Sequence, residues 1–121
     1  MQYMLLIYSD EDTWQTLSDE DRGAWMKDYG EYTEELRAAG AMVAGDALQP
    51  TSNATTVRVR DGEQLVTDGP FAETKEQLGG YYLIEADSLD EATAWAGKLP
   101  GSRHGSVEVR PVLQVPAEAR P

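Results

Sequence analysis

Two strand-like runs, each leading to a serine-started helix and then to another strand, most constrain what this chain can fold into. The first unit opens with Tyr3-Met4-Leu5-Leu6-Ile7-Tyr8, an unbroken apolar run that suits a central strand covered on both faces. A polar, acidic linker holding Trp14 and Leu17 follows. Ser18 then offers an N-cap oxygen, and Asp19, Glu20 and Asp21 place carboxylates in the first turn, where the helix dipole favours them. Trp25, Tyr29, Tyr32 and Leu36 recur on one helical face. Gly30 weakens that helix by about 1 kcal/mol relative to Ala. Gly40 is a credible stop, and Ala41 to Leu48 reads as the second strand.

The second unit repeats this order. Gly80 to Ala86 reads as a strand, and Ser88-Leu89-Asp90-Glu91 as a capping box in which Ser88 bonds the Glu91 amide and Glu91 reaches back. Ala92, Trp95, Ala96 and Leu99 form the apolar stripe of the helix, which Pro100-Gly101 ends. Val107 and Val109 alternate with Glu108 and Arg110 in a last strand. Between the units, Thr55 to Arg60 alternates, Asp61-Gly62 carries the two-residue hairpin signal, and Gln64 to Thr67 returns. Two split βαβ units predict an α+β, ferredoxin-like βαββαβ fold with an extra hairpin, its helices on one side of a mostly antiparallel sheet. The other side would expose apolar side chains, and face-to-face pairing of two copies across a two-fold axis is the simplest way to cover them. A homodimer is therefore expected.

Length allows one domain, placed at residues 1–112, with a Pro-interrupted tail at 113–121 that is either disordered or laid along a partner. No apolar run approaches membrane-spanning length, no leader-like segment opens the chain, and cysteine is absent, which together predict a cytoplasmic protein without disulfides. The formal charge is −12, and ten acidic residues between Asp10 and Glu35 face only Arg22 and Lys27. Such a surface repels phosphate backbones and anionic membranes, so neither direct nucleic-acid binding nor membrane attachment is expected. It reads either as a solvated helix face or as a docking surface for a basic protein partner.

The segment from Asp68 to Ile84 concentrates the chemistry. Pro70 fixes its own φ and pushes Gly69 away from helical geometry, forcing a turn. Gly79 and Gly80 leave room for another backbone or a ligand. The run Asp68-Gly69-Pro70-Phe71-Ala72-Glu73-Thr74-Lys75-Glu76 resembles the signature of the DGPF-type branch of the YCII-related family, whose biochemical role is largely unassigned. Tyr3 to Tyr8, Thr55-Thr56-Val57-Arg58 and Gly105-Ser106-Val107-Glu108-Val109-Arg110-Pro111 extend the resemblance from about Tyr3 to Val112. It implies a dimeric α+β barrel, in a superfamily that includes muconolactone isomerase-like enzymes and small monooxygenases. It also implies relatives encoded beside sigma factors of the extracytoplasmic-function type, hence an alternative role as a non-catalytic regulatory or interaction module of such a system. A His–Asp pair proposed as catalytic in a smaller branch does not carry over, because the one histidine here, His104, lies near the final strand.

Each candidate has a plain structural alternative. Asp68 reads as a general base or as the acceptor of an Asx turn. His104 reads as a proton-donating acid or as a surface histidine. Arg58 and Lys75 could stabilise an anion, and Phe71 could stack on a ligand or anchor a core or interface. Glu73, Thr74, Lys75 and Glu76 would edge a polar pocket, Glu73 and Glu76 being neighbours if the segment is helical. One histidine without cysteine makes no metal site, and no phosphate-cradling loop or dinucleotide fingerprint calls for a cofactor. The expected function is binding of a small, anionic molecule in a cleft edged by residues 68–76. Cofactor-free isomerase- or lyase-type proton transfer there would use Asp68 as base and His104 as acid.

Overall fold

The structure is a computed structural model that describes residues 1–121. Its elements run β1 (Gln2–Ser9), α1 (Glu11–Thr16), α2 (Asp19–Ala38), β2 (Met42–Ala47), β3 (Thr55–Arg60), β4 (Glu63–Asp68), β5 (Gln77–Glu85), α3 (Leu89–Lys98) and β6 (Ser106–Pro111). Strands β2, β5, β1 and β6 lie side by side in that order, every neighbour antiparallel. Strands β3 and β4 pair only with each other. Set the hairpin aside and the remainder is a ferredoxin-like βαββαβ sheet.

Both serine caps form. Ser18 Oγ accepts from the Asp21 amide and Ser88 Oγ from the Glu91 amide, each at 3.1 Å. The Glu91 carboxylate reaches back one residue further than expected, to the Asp87 amide at 2.8 Å. The acidic linker is itself a helix: Asp10 accepts from the Asp12 amide at 2.9 Å, and Glu11 and Asp12 occupy the first turn of α1. With six residues, α1 is too short to show an apolar period, so its cap was the only signal.

Helices α2 and α3 cover one face of the sheet. Tyr3, Leu5 and Ile7 of β1 and Tyr82 and Ile84 of β5 meet Tyr32 and Leu36 of α2 and Ala92 and Ala96 of α3. Leu5, Leu36, Ile84 and Leu99 are fully buried, each such burial stabilising the fold by about 1.5–3 kcal/mol. Ala92 and Ala96 carry no bulk that would hold α3 off the sheet. Tyr32 Oη donates to the Trp95 carbonyl at 2.9 Å and so ties α2 to α3. Burial pushes the Tyr32 phenol well above the ordinary tyrosine range, with the neighbouring Tyr82, Tyr29 and Glu35 adding to the rise.

The alternate residues of the same strands, Met4, Leu6 and Tyr8 with Tyr81 and Leu83, face away from the helices. β1 is central, as its apolar run predicts, but the helices of the protomer cover only one of its faces. The hairpin turn has both Asp61 (φ 52°) and Gly62 (φ 78°) in the left-handed region, the type I′ geometry its sequence signals. Val57 and Val66 sit opposite each other on a solvent-exposed face of the hairpin. β5 begins at Gln77, three residues before the expected start. There a Cβ on Gly80 would lie 2.8 Å from the Asp46 carbonyl oxygen, whereas one on Gly79 would meet nothing nearer than 3.9 Å. After Val112, whose amide donates to the Gln2 carbonyl at 3.0 Å, the chain leaves the sheet and makes a 3-10 turn at Ala117–Ala119. No helix is long and apolar enough to cross a membrane.

Candidate functional site

The apolar stripe of α2 does two jobs. Its C-terminal half, Tyr32 and Leu36, enters the core. Its N-terminal half, Trp25 and Tyr29, is only partly buried and lines a cleft of ~700 Å³ between α1 and α2 on one side and β2 and β5 on the other. That volume falls within the usual range for small-molecule sites, roughly 300–1,000 Å³. Trp14 from α1, Met42 from β2 and Tyr82 from β5 complete much of the apolar lining.

Aromatic contacts hold the mouth. Trp14 and Trp25 meet edge to face, centroids 5.7 Å apart and planes at 86°. Arg22 braces Trp14: its guanidinium lies 5.7 Å over the Trp14 ring and donates to the carbonyls of Trp14 at 3.1 Å and Gln15 at 2.7 Å. His104 stacks on Trp25 with centroids 4.2 Å apart. Deeper in, Thr33 Oγ1 donates to the Tyr29 carbonyl at 2.9 Å, so its 2.8 Å contact with Tyr82 Oη takes its proton from the tyrosine. Burial pushes the Tyr29 phenol above its ordinary range, opposed by donors on Trp25 and on the Gly101 backbone. At neutral pH Tyr29 is therefore protonated; it lines the cleft with its hydroxyl set against Gly101.

Carboxylates dominate the polar rim. On the other face of the sheet, Asp46 accepts from Tyr81 Oη at 2.8 Å, and that bond is the main cause of the raised Tyr81 pKa. Glu11 accepts from the Thr51 amide at 2.7 Å and from Thr51 Oγ1 at 2.9 Å, while its own amide donates to Gln77 Oε1 at 3.0 Å. Asp10 also lines the cleft. Arg37, the cationic side chain there, is ion-paired with Glu34.

Gly79 and Gly80 line this cleft, but none of the candidate catalytic and ligand-binding side chains, Arg58, Asp68, Phe71, Glu73, Thr74, Lys75, Glu76 and His104, does. Asp68 ends β4 in an exposed position opposite Thr55. The turn after it is closed by backbone, the Gly69 amide donating to the Ala54 carbonyl at 2.7 Å with Gly69 at φ 99°, and not by an Asx carboxylate. Arg58 Nη2 donates to the Phe71 carbonyl at 3.2 Å, and the Phe71 ring is 76% exposed. The segment is not helical, so Glu73 and Glu76 are not brought together by a helical turn. Glu73 and Lys75 are exposed. Thr74 Oγ1 donates to the Glu76 carbonyl at 2.6 Å. Glu76 Oε1 accepts from Ser106 Oγ at 3.3 Å, and its Oε2 is buried without a partner. His104 is exposed and touches the cleft only through Trp25.

The segment nevertheless braces the rim. Gln77 Nε2 donates to the Thr74 carbonyl at 2.5 Å while Gln77 Oε1 accepts from Glu11, a cleft residue. The Trp25–Tyr29 stripe is visible in the sequence as one helical face, whereas Trp14 reads there as part of a linker. Tyr82 has no local signal, because its place at the cleft comes from how β1, β2 and β5 pair.

Sheet order and helix placement define an α+β protein of ferredoxin-like architecture. A solved structure of the same fold, the 5-chloro-2-hydroxyhydroquinone dehydrochlorinase of Burkholderia phenoliruptrix AC1100 in complex with 2,5-dihydroxybenzoquinone, matches with a TM-score of 0.56. That match covers 95% of this chain and 96% of the other at 16% identity. Residues 1–116 match the YCII-related domain, and the chain belongs to that family. A protein of Rhizobium meliloti (strain 1021), named only as uncharacterised, is 43% identical over 121 residues, covering 98% of each chain.

Proposed function

We propose that this YCII-related protein binds a small ring-shaped molecule in the cleft between α2 and the sheet, and does so as a homodimer. The observation that carries the reading is the aromatic wall: Trp14, Trp25, Tyr29 and Tyr82 around ~700 Å³. Flat apolar faces with a few fixed polar groups are what a small planar ligand requires. The fold neighbour's complex with 2,5-dihydroxybenzoquinone supports a ring as ligand. Residues 68–76 act on the rim through Thr74 and Gln77 rather than as the wall. Cofactor-free proton transfer of the isomerase or lyase kind would fall to groups of the cleft, Tyr29 as acid and Asp10 as base, ahead of Asp68 and His104. Met4, Leu6, Tyr8, Tyr81 and Leu83 supply the apolar face through which two sheets would pair as an α+β barrel.

Thermal unfolding with resorcinol, a neutral dihydroxybenzene, tests the binding reading. Ligand bound to the native state raises the melting temperature. The rise is expected in the wild type and in Asp68→Asn, and is expected to vanish in Trp25→Leu. A rise kept by Trp25→Leu and lost in Asp68→Asn would move the site to the 68–76 segment.

A further inference from the structure

The charge of the ligand can be read from the same cleft, and this step rests on the cleft being the binding site. We infer that it takes a cation, a small ring or alkyl group bearing an ammonium, rather than the anion that the DGPF segment suggests. Two acidic residues of α1 and its cap, Asp10 and Glu11, line the cleft. The cation among the lining residues, Arg37, is already neutralised by Glu34. The chain as a whole carries −12, and a low-dielectric cleft focuses the field of such a surface, concentrating cations at its mouth and repelling anions.

The aromatic geometry points the same way. Two indoles at 86° with centroids 5.7 Å apart make a corner of π-faces and edges, and Tyr29 also lines the space beside them. A cation within about 6 Å of such rings is held by their quadrupoles, Trp most strongly. Arg22 shows this at the outer side of the corner, its guanidinium 5.7 Å from the Trp14 centroid. An anionic ligand would have to pass the rim carboxylates and then lie against electron-rich faces, where Arg37 is paired with Glu34 and Arg22 already donates to the Trp14 and Gln15 carbonyls.

Tryptophan fluorescence titrations with benzyltrimethylammonium, benzyl alcohol and benzoate test the inference on the unmodified protein. The cation is expected to bind about tenfold or more tightly than the alcohol, and benzoate weakest. Added salt should weaken the cation and leave the alcohol unchanged. The double variant Asp10→Asn/Glu11→Gln should lose the preference for the cation while still binding the alcohol. Benzyl alcohol or benzoate binding as tightly as the cation, with quenching lost in Trp25→Leu, would overturn the charge inference and leave the cleft as the site. Failure of all three probes to bind would overturn both.

Discussion

His104 stacks on Trp25 with ring centroids 4.2 Å apart and planes at 29°, so the one histidine of the chain supports the cleft wall from behind. A stacked aromatic pair adds about 0.5–1.5 kcal/mol beyond its buried area. His104→Ala is therefore expected to lower stability in urea unfolding by about that amount. His104→Phe should recover most of it, and resorcinol binding should weaken only slightly in either variant. Full stability with abolished ligand binding in His104→Ala would instead make the imidazole a direct participant.

Gly79 and Gly80 differ sharply in what surrounds them. A Cβ at Gly80 would press on backbone, 2.8 Å from the Asp46 carbonyl oxygen, and neither β2 nor β5 can retreat without losing ladder bonds. Gly80→Ala should cost about 1–3 kcal/mol, the usual range for overpacking. Gly79→Ala has ordinary contact distances and should stay within about 0.5–1 kcal/mol of the wild type. Denaturant midpoints for the two variants check the contrast.

Alkaline pH should weaken the fold through Tyr32 and Tyr29. Both phenols have folded pKa values raised above the ordinary value near 10, mainly by burial. Their contribution is therefore complete below about pH 10 and is lost as the pH climbs above it, because the unfolded chain gives up its protons first. Tyr32→Phe removes the donor to the Trp95 carbonyl and should cost about 1 kcal/mol at pH 7. Above about pH 10 its stability should then fall less steeply than that of the wild type.

Leu6 lies on the face of the sheet that no helix covers, between Met4 and Tyr8 on the same strand. Leu6→Asp places a charge there without touching the core of the protomer. Sedimentation should show the wild type as a dimer and Leu6→Asp as a folded monomer. A monomeric wild type would remove the barrel pairing from the proposal.

The fold was legible because its signals are local. Ser18 and Ser88 cap the two long helices, Asp61-Gly62 turns the hairpin, and Val107 and Val109 alternate in the last strand as expected. The site was not legible, for a physical reason. Helical spacing says that Trp25, Tyr29, Tyr32 and Leu36 share a face, but not where along that face the sheet stops supporting it. Only the pairing of β1, β2 and β5 decides that Leu36 meets core and Trp25 meets space. The dense charges at Glu73, Lys75 and Glu76 drew attention to a segment that reaches the cleft only through Gln77. Gly80 was the exception, since its closeness to another backbone was expected and is found.

The three tryptophans provide an internal control for the location of the ligand. Trp14 and Trp25 line the cleft, while Trp95 on α3 packs against Tyr32 of α2 and carries Lys98 over its ring. Indole N–H resonances in a two-dimensional NMR titration with resorcinol would report each one separately. The Trp14 and Trp25 signals should move together and saturably while Trp95 stays fixed. Movement of Trp95, or of amides in the Asp68–Glu76 segment with Trp14 and Trp25 unchanged, would contradict the cleft as the binding site.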